Sequence, residues 1–161
     1  PAFAKDGTVT AANSSSISDG GSALVLARES VAHARGLKPL ARILAHATNS
    51  RHPSEFTLAP IGATERVMKK VGWNVTDVDL FEINEAFAMV AMMPMQELGI
   101  PHAKVNIHGG ACALGHPIGA SGARLVVTLL NALKTRGLKR GIAALCIGGG
   151  EATAIALECI D

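Results

Sequence analysis

The residues best suited to chemistry are concentrated in one glycine-rich segment, residues 106–124, with the sequence N-I-H-G-G-A-C-A-L-G-H-P-I-G-A-S-G-A-R. Glycines let a backbone approach a ligand closely, and the apolar stretch that follows, residues 125–133, has helical character. A helix N-terminus adds unpaired N–H groups and a partial positive charge. His116 stands between Gly115 and Pro117, and the proline restricts its own backbone and that of the residue before it. His116 is therefore the first candidate for a general acid or base.

A second candidate lies near the end of the chain, in the sequence C-I-G-G-G-E of residues 146–151. Cys146 ends a predicted strand, where a side chain can project into a cleft. A thiol with a pKa of about 8.5 in water becomes a competent acid or base near neutrality if its thiolate meets N–H groups or a histidine. The glycines allow a turn that presents backbone N–H groups, and Gly148 is the natural donor to an oxyanion.

The third segment, residues 81–88, reads F-E-I-N-E-A-F-A and joins a predicted strand to a predicted helix. Asn84 stands at the junction, where an asparagine commonly caps a helix N-terminus. A role as a cap and a role in chemistry do not exclude one another, and the sequence leaves both open.

The three segments together, N-E-A-F-A, G-G-x-x-x-x-G-H-P-x-G-x-S-G-A-R and C-x-G-G-G in that order, resemble the C-terminal half of a thiolase, an acetyl-CoA C-acyltransferase. The resemblance runs from Phe3 to the end of the chain, so residues 1–161 are interpreted as a thiolase C-terminal domain. It implies Claisen condensation of acetyl-CoA to acetoacetyl-CoA, or the reverse thiolysis. Coenzyme A thioesters are then substrates, and no cofactor or metal is expected.

The resemblance also implies roles for individual residues. His116 would accept the proton of a thiol and later point an N–H at a thioester oxygen, and Cys146 would serve as a second acid or base. Asn84 would hold a water that completes an oxyanion site with His116, and Gly148 would donate to an oxyanion. Four further positions would contact coenzyme A: Ser15, Phe3, Ala11 and Phe87.

One requirement of this chemistry, the thiolate that carries the acyl group, has no match in the chain. In thiolases that cysteine belongs to the N-terminal half, whereas Cys112 is interpreted as a small buried residue and Cys159 as the end of an apolar strand. The chain is therefore predicted to be inactive alone and to need the missing N-terminal thiolase domain as its partner. Its first residue, Pro1, also favours a piece of a longer protein.

Two other functions stay open. The chain could be a non-catalytic module for acyl-CoA binding or dimerisation, or a stand-alone cysteine acyltransferase or thioesterase with Cys146 as its nucleophile. A nucleotide site is disfavoured because residues 110–115 have the glycine spacing of a P-loop but are followed by His116 instead of Lys and Ser/Thr. A zinc site formed by Cys112, His116 and His108 is disfavoured because no fourth ligand is evident.

Composition narrows the class of protein. The 161 residues are 48% hydrophobic and 17% charged, which suits one globular domain with a sizeable core. A net charge of +2, with four Phe, one Trp and no Tyr, argues against a nucleic-acid partner. No apolar run reaches the roughly 20 residues that a membrane span needs. Three cysteines without CxxC spacing favour a reducing compartment, so a cytoplasmic location is expected, or an organelle matrix in a eukaryote.

The predicted elements follow the pattern β-α-β-α-β-α-β-β, with the last two helices both between the third and fourth strands, and indicate an α/β fold with a mixed, mostly parallel five-stranded sheet and helices on its faces. The strands are predicted at residues 22–27, 39–48, 77–83, 141–147 and 151–160, and the helices at residues 29–35, 61–71, 84–98 and 125–133. Pro94 is expected to kink or shorten the third helix. The fourth helix is expected to expose apolar surface, which favours a homo-oligomer.

Overall fold

The computed structural model describes residues 2–160, and its centre is a sheet of four strands. The strands are β1 (Ala41–Ser50), β2 (Leu80–Ile83), β3 (Arg140–Ile147) and β4 (Glu151–Cys159), in the spatial order β1-β4-β3-β2. β2 and β3 are parallel, whereas β4 pairs antiparallel with both β3 and β1. The α/β class is confirmed. The prediction of a mostly parallel sheet of five strands is wrong, because β4 lies between two antiparallel neighbours.

The strand that is missing is the first predicted one, at residues 22–27, which has no regular structure. Val25 and Leu26 in this segment are 93% and 71% exposed. A strand needs a neighbour for its N–H and C=O groups, and within residues 2–160 no strand pairs with this segment. The sequence has the pattern of a strand here, but the described chain offers it nothing to pair with.

Five helices accompany the sheet in the described residues: α1 (Glu29–Ala34), α2 (Ala59–Val71), α3 (Ala88–Leu98), α4 (Ala111–Leu114) and α5 (Ile118–Arg136). Short 3-10 turns occur at Ala11–Asn13, Pro53–Leu58, Val75–Asp77 and His102–Lys104. α2 ends where the sequence predicts, before Gly72, whose φ of 69° is a left-handed conformation that glycine adopts at little cost. None of the helices in the described part of the chain is long and apolar enough to cross a membrane.

α3 begins later than predicted and continues through its proline. Its first residue is Ala88, so the interpretation of Asn84 as a helix cap is wrong. Asn84 instead prolongs the pairing of β2 with β3, because its N–H donates to the C=O of Ala144 at 2.9 Å. The helix extends beyond Pro94, so the expected early end is also wrong.

Helices cover the sheet on both faces. α2 and α3 pack on one face, over a core that includes Phe81, Ile83, Ile142 and Ala144. α5 packs on the other face through Leu125, Leu129 and Leu133, each at most 1% exposed. Leu125, Leu129 and Leu133 therefore contribute to the core, whereas Val127 on the same helix is 45% exposed, so part of the apolar surface of residues 125–133 is open as expected.

The packing of α5 decides where the polar side chains of β2 point. Leu80 faces α5, and because side chains alternate along a strand, Glu82 and Asn84 face the same helix. β2 is buried along its whole length, so these two polar side chains need partners inside the protein.

Candidate active site

The glycine-rich loop is held against the end of β2 by one asparagine. Oδ1 of Asn106 accepts from the N–H of Ile83, and Nδ2 of Asn106 donates to the C=O of the same residue, both at 2.8 Å. The side-chain amide thus imitates a neighbouring strand. Asn106 has a φ of 48°, a conformation that asparagine adopts more readily than most residues.

Glu85 holds the same loop by its carboxylate. Oε1 of Glu85 accepts from Nδ2 of Asn106 at 2.8 Å, and Oε2 accepts from the N–H of Cys112 at 3.2 Å. A side chain at Gly110 would overlap this carboxylate, so the loop closes over Glu85 only because residue 110 is a glycine. Burial raises the pKa of the half-buried Cys112 thiol, and the Glu85 charge raises it further. Cys112 therefore supports the loop as a protonated thiol.

His116 is fixed by hydrogen bonds from its backbone and from its ring. Its N–H donates to the C=O of Ser16 at 3.2 Å, which joins the loop to the N-terminal segment. Its Nδ1 lies 2.6 Å from Oγ of Ser121, near the start of α5. The Ser121 hydroxyl donates to the C=O of Pro117 at 3.0 Å, so it accepts from an Nδ1–H group. The neutral imidazole therefore carries its proton on Nδ1 and a lone pair on Nε2.

The lone pair of Nε2 faces the side chain of Asn84. Nδ2 of Asn84 lies 3.3 Å from Nε2 of His116, and Oδ1 of the same amide accepts from Nη2 of Arg124 at 3.2 Å. A guanidinium group has only donors, so the contact with Arg124 decides which end of the amide is the oxygen. Asn84 is fully buried and holds one orientation between a cation and an imidazole.

The same surroundings keep His116 uncharged. Burial lowers the pKa of His116, and the positive charge of Arg124 lowers it further. A histidine whose pKa is lowered stays neutral in the neutral pH range, so Nε2 is unprotonated and accepts from the Asn84 amide in this structure. The arrangement is that of a neutral imidazole held in one tautomer.

Two charged residues of the site, Glu82 and Arg124, are absent from the sequence-based prediction, although both lie within its marked segments. Nη1 of Arg124 lies 3.5 Å from Oε2 of Glu82, whose side chain is 2% exposed. Burial raises the pKa of Glu82 to about 7; the Arg124 charge opposes this shift and the Glu85 charge adds to it. Among the residues described, neither of these two atoms has a hydrogen-bond partner. The sequence signal that points to Arg124 is its spacing from Ser121, because residues three apart lie on the same face of a helix.

A groove of about 450 Å³ opens beside His116. It is lined by Ser15, Ser16, Ile17 and Ser18 from the N-terminal segment and by Ala86, Phe87, His116 and Ile118. The N–H and the Oγ of Ser15 both donate to the C=O of Ala86, at 3.1 and 3.0 Å. The structure thus brings Ser15 and Phe87, two of the predicted coenzyme A contacts, into one groove with His116.

The other two predicted coenzyme A contacts, Phe3 and Ala11, lie outside the lining of this groove. Phe3 is 72% exposed, and its N–H donates to the C=O of Val9 at 2.9 Å. Ala11 begins an exposed 3-10 turn. Both residues belong to the folded-back N-terminal segment, in which Ala2 and Thr10 form a β-bridge.

Cys146 and Gly148 lie at the same edge of the sheet as Asn84, but the structure does not join them to His116. Cys146 is 7% exposed, and burial raises the pKa of its thiol against a smaller opposing effect of a backbone hydrogen bond. In the described chain the hydrogen bonds of the His116 ring go to Asn84 and Ser121, not to Cys146. Gly148 is exposed, in the turn between β3 and β4.

The zinc ligands considered from the sequence are not brought together. Across residues 2–160 no three His, Cys, Asp or Glu side chains lie close enough to one another to hold a metal ion. Cys112 and His116 have separate hydrogen-bond partners, Glu85 for the first and Ser121 and Asn84 for the second.

The fold and the site define an α/β protein with a neutral, hydrogen-bonded histidine at the mouth of a groove, and comparison with known proteins identifies its family. The family model for the thiolase C-terminal domain matches residues 37–159, and the model for the thiolase N-terminal domain matches residues 1–30. The chain belongs to the thiolase family.

Relatives of known name agree with this assignment. The chain is 52% identical over 158 residues to a probable acetyl-CoA acetyltransferase of Dictyostelium discoideum, covering 98% of this chain and 38% of that protein. It is 50% identical over 161 residues to an acetyl-CoA acetyltransferase of Escherichia coli, covering 100% of this chain and 41% of that protein.

Solved structures of the family have the same fold. An acetyl-CoA acetyltransferase of Bacillus anthracis superposes with a TM-score of 0.96 at 46% identity, covering 99% of this chain and 41% of that one. Human mitochondrial 3-ketoacyl-CoA thiolase in complex with CoA superposes with a TM-score of 0.92 at 36% identity, covering 100% and 41%. The chain thus spans about two fifths of the length of the relatives that it matches.

Proposed function

We propose that this chain is part of an acetyl-CoA acetyltransferase, which condenses two molecules of acetyl-CoA to acetoacetyl-CoA or cleaves that product with coenzyme A. The observation that supports this most is the His116–Asn84 pair beside a groove, in a chain 50% identical to an enzyme of that name. Because the chain spans only 41% of that enzyme, the activity is proposed for a longer protein that contains it.

His116 acts as the base in this proposal. Its neutral ring is held with a lone pair on Nε2, so a thiol brought to this point meets a proton acceptor of fixed orientation. Once Nε2 is protonated, it and the Nδ2–H of Asn84 become two donors directed at the same region. A thioester or enolate oxygen bound there, directly or through a water, is stabilised as in an oxyanion hole. Proton transfer thus converts the base into an oxyanion site.

The groove beside His116 is proposed to hold the pantetheine arm of coenzyme A. Phe87 and Ile118 supply apolar contacts, and the serine hydroxyls supply polar ones, a mixture that suits an arm of alternating methylene and amide groups. A solved relative with this fold carries CoA, which supports the choice of ligand. Phe3 and Ala11 remain proposed contacts for parts of coenzyme A farther from the thioester.

Cys146 and Gly148 are proposed as the second acid or base and as a further oxyanion donor. Burial keeps the Cys146 thiol protonated, which is the form that gives a proton to a substrate carbon or to the sulfur of coenzyme A. Gly148 follows β3 in an exposed turn, and its backbone N–H is the proposed donor.

The acyl-carrying cysteine is proposed to come from an N-terminal thiolase domain. Residues 1–30 match the model of that domain, and residues 22–27 within them expose an apolar, strand-like sequence. We infer that this segment pairs with a strand of the N-terminal domain and thereby covers Val25 and Leu26. A homo-oligomer and a cytoplasmic location complete the proposal, the latter supported by three unpaired cysteines and by a mouse relative named as cytosolic.

The test is a hybrid enzyme, defined as the Escherichia coli relative in which the matching 41% is replaced by residues 1–161 of this chain. Acetoacetyl-CoA thiolysis is measured for the hybrid, for the Escherichia coli enzyme and for this chain alone. We expect turnover by the hybrid and none by the chain alone. His116→Ala and Cys146→Ala in the hybrid are each expected to lose on the order of 10²- to 10⁴-fold in kcat. The matched controls, His33→Ala and Cys159→Ala, keep the activity.

The outcomes separate the proposal from its two rivals. Turnover by the chain alone, with an acyl group on Cys146 in the mass spectrum, would establish a stand-alone cysteine acyltransferase. A hybrid that folds and binds coenzyme A but shows no turnover would favour the non-catalytic binding module. Full activity of the His116→Ala hybrid would refute the assignment of the base.

A further inference from the structure

We propose that Arg124, held by Glu82, is a positioning residue that orients the Asn84 amide toward His116 and keeps the imidazole in its proton-accepting state. The inference rests on the proposed function, because it concerns the base of that reaction. Neither charged residue lines the groove, so both act on it only through Asn84 and His116.

The geometry forms one continuous chain of contacts from a buried carboxyl to the imidazole. Glu82 lies 3.5 Å from Nη1 of Arg124, Nη2 of Arg124 donates to Oδ1 of Asn84 at 3.2 Å, and Nδ2 of Asn84 lies 3.3 Å from Nε2 of His116. A carboxamide can rotate by half a turn and exchange its oxygen with its nitrogen. If Asn84 did so, its oxygen would face the lone pair of Nε2 and its NH₂ group would face a cation. Arg124 therefore specifies the orientation in which both contacts are favourable.

The electrostatics act in the same direction. Burial is the largest cause of the lowered pKa of His116, and Arg124 is the charged residue that adds to it. The groups that face the imidazole from its other sides, Ser121 from α5 and Asn84 from the end of β2, carry no charge. Arg124 itself is faced by Glu82, and the charge of Glu85 acts on Glu82 in turn.

A purely structural role explains the Glu82–Arg124 pair poorly. The 3.5 Å separation is long for a charge-assisted hydrogen bond, and neither Oε2 of Glu82 nor Nη1 of Arg124 has a hydrogen-bond partner in the described chain. A buried ion pair with such geometry contributes little to stability compared with packed apolar side chains. The well-formed contact of Arg124 is the one to Asn84, which is the contact that the proposal uses.

The experiment compares Arg124→Met and Arg124→Lys in the hybrid enzyme. Arg136→Met is the matched control, because Arg136 is exposed on the same helix, 12 residues or about 18 Å farther along. Two quantities are measured as a function of pH: kcat/KM for thiolysis, and the rate at which diethyl pyrocarbonate modifies His116, followed by peptide mass spectrometry. The modification rate reports the protonation state of His116 whether or not the hybrid is active.

For Arg124→Met we expect kcat to fall about 10- to 100-fold, with KM changed much less, because the amide and the imidazole lose their fixed orientation. Both pH curves are expected to shift to higher pH, because removal of the cation raises the pKa of His116. Arg124→Lys keeps the charge, so its pH curves stay close to those of the unmodified hybrid while kcat falls. Arg136→Met matches the unmodified hybrid in every respect.

Modification and activity curves of Arg124→Met that superimpose on those of the unmodified hybrid would overturn the inference. An inactive hybrid whose modification curve still shifts in Arg124→Met would instead count against the proposed function and support the link between Arg124 and His116. If Arg124→Met fails to fold, the double variant Glu82→Gln, Arg124→Met carries the same test, because it leaves no unpaired buried charge.

Discussion

Glu82 is a buried acid whose ionisation makes the stability of this chain depend on pH. Its side chain is 2% exposed, and its pKa is raised from 4.5 to about 7, mainly by burial. Between these pH values the folded chain keeps a proton on Glu82 that the unfolded chain has released. The free energy of unfolding therefore has its full Glu82 contribution below about pH 4.5 and loses it as pH rises through about 7.

The size of the effect follows from the width of this window. One pKa unit corresponds to about 1.4 kcal/mol, so a rise from 4.5 to about 7 removes about 3 kcal/mol of stability in total. About 2 to 3 kcal/mol of this loss falls between pH 5 and pH 8. In Glu82→Gln the neutral amide has no proton to release. We therefore expect the free energy of unfolding of Glu82→Gln, relative to that of the wild-type chain, to rise by about 2 to 3 kcal/mol as the pH is raised from 5 to 8.

The assay is urea unfolding at pH 5 and pH 8, followed by the fluorescence of the single tryptophan, Trp73. The difference between variant and wild type cancels the groups that titrate in both chains. Glu97→Gln, at an exposed position on α3, is the matched control and is expected to follow the wild type at both pH values. An equal gap between Glu82→Gln and wild type at the two pH values would show that Glu82 does not titrate there. If the stability difference between Glu82→Gln and wild type is instead smaller at pH 8 than at pH 5, the ion pair with Arg124 stabilises the charged carboxylate by more than burial destabilises it.

Two further predictions concern the loop and the N-terminal segment. Gly110→Ala places a methyl group on the Glu85 carboxylate and is expected to destabilise the chain by about 1 to 3 kcal/mol in urea unfolding. Gly119→Ala, where a methyl group meets open space, is the control and is expected to leave the stability unchanged. Equal effects of the two substitutions would contradict the role of Glu85 in holding the loop. Val25→Asp removes the most exposed large apolar side chain of residues 22–27 and is expected to reduce self-association of the chain alone in light scattering. If the particle mass is unchanged, the surface responsible for self-association lies elsewhere in the chain.

The sequence indicated the candidate segments because their composition reports local chemistry. Residues 106–124 combine glycine, histidine and proline in a way that ordinary loops do not, and the structure places His116 at the mouth of a groove. The end of α2 at Gly72 was likewise predictable, because a helix stop depends on the conformation of one residue. The role of Asn84 was harder, because helix cap and buried continuation of a strand share the same local sequence.

The strand predicted at residues 22–27 shows a limit of prediction from local sequence pattern. The segment has strand propensity, yet its backbone finds no neighbour within residues 2–160 and its apolar side chains stay exposed. Strand formation depends on hydrogen bonds to a second strand, which one segment cannot specify by itself. The number of parallel and antiparallel pairs was mispredicted for the same reason, since it depends on where β4 inserts.

Glu82 and Arg124 could not be assigned from the sequence because their role exists only where two elements meet. In a strand that alternates apolar and charged residues, Glu82 occupies the position of a solvated side chain. β2 is instead buried on both faces, since α5 covers the side that carries Glu82 and Asn84. The same helix carries Arg124 to that side and, near its start, Ser121 to the other nitrogen of His116. One packing contact, between β2 and α5, therefore brings together the groups that hold both ring nitrogens of His116, and neither β2 nor α5 contains that information alone.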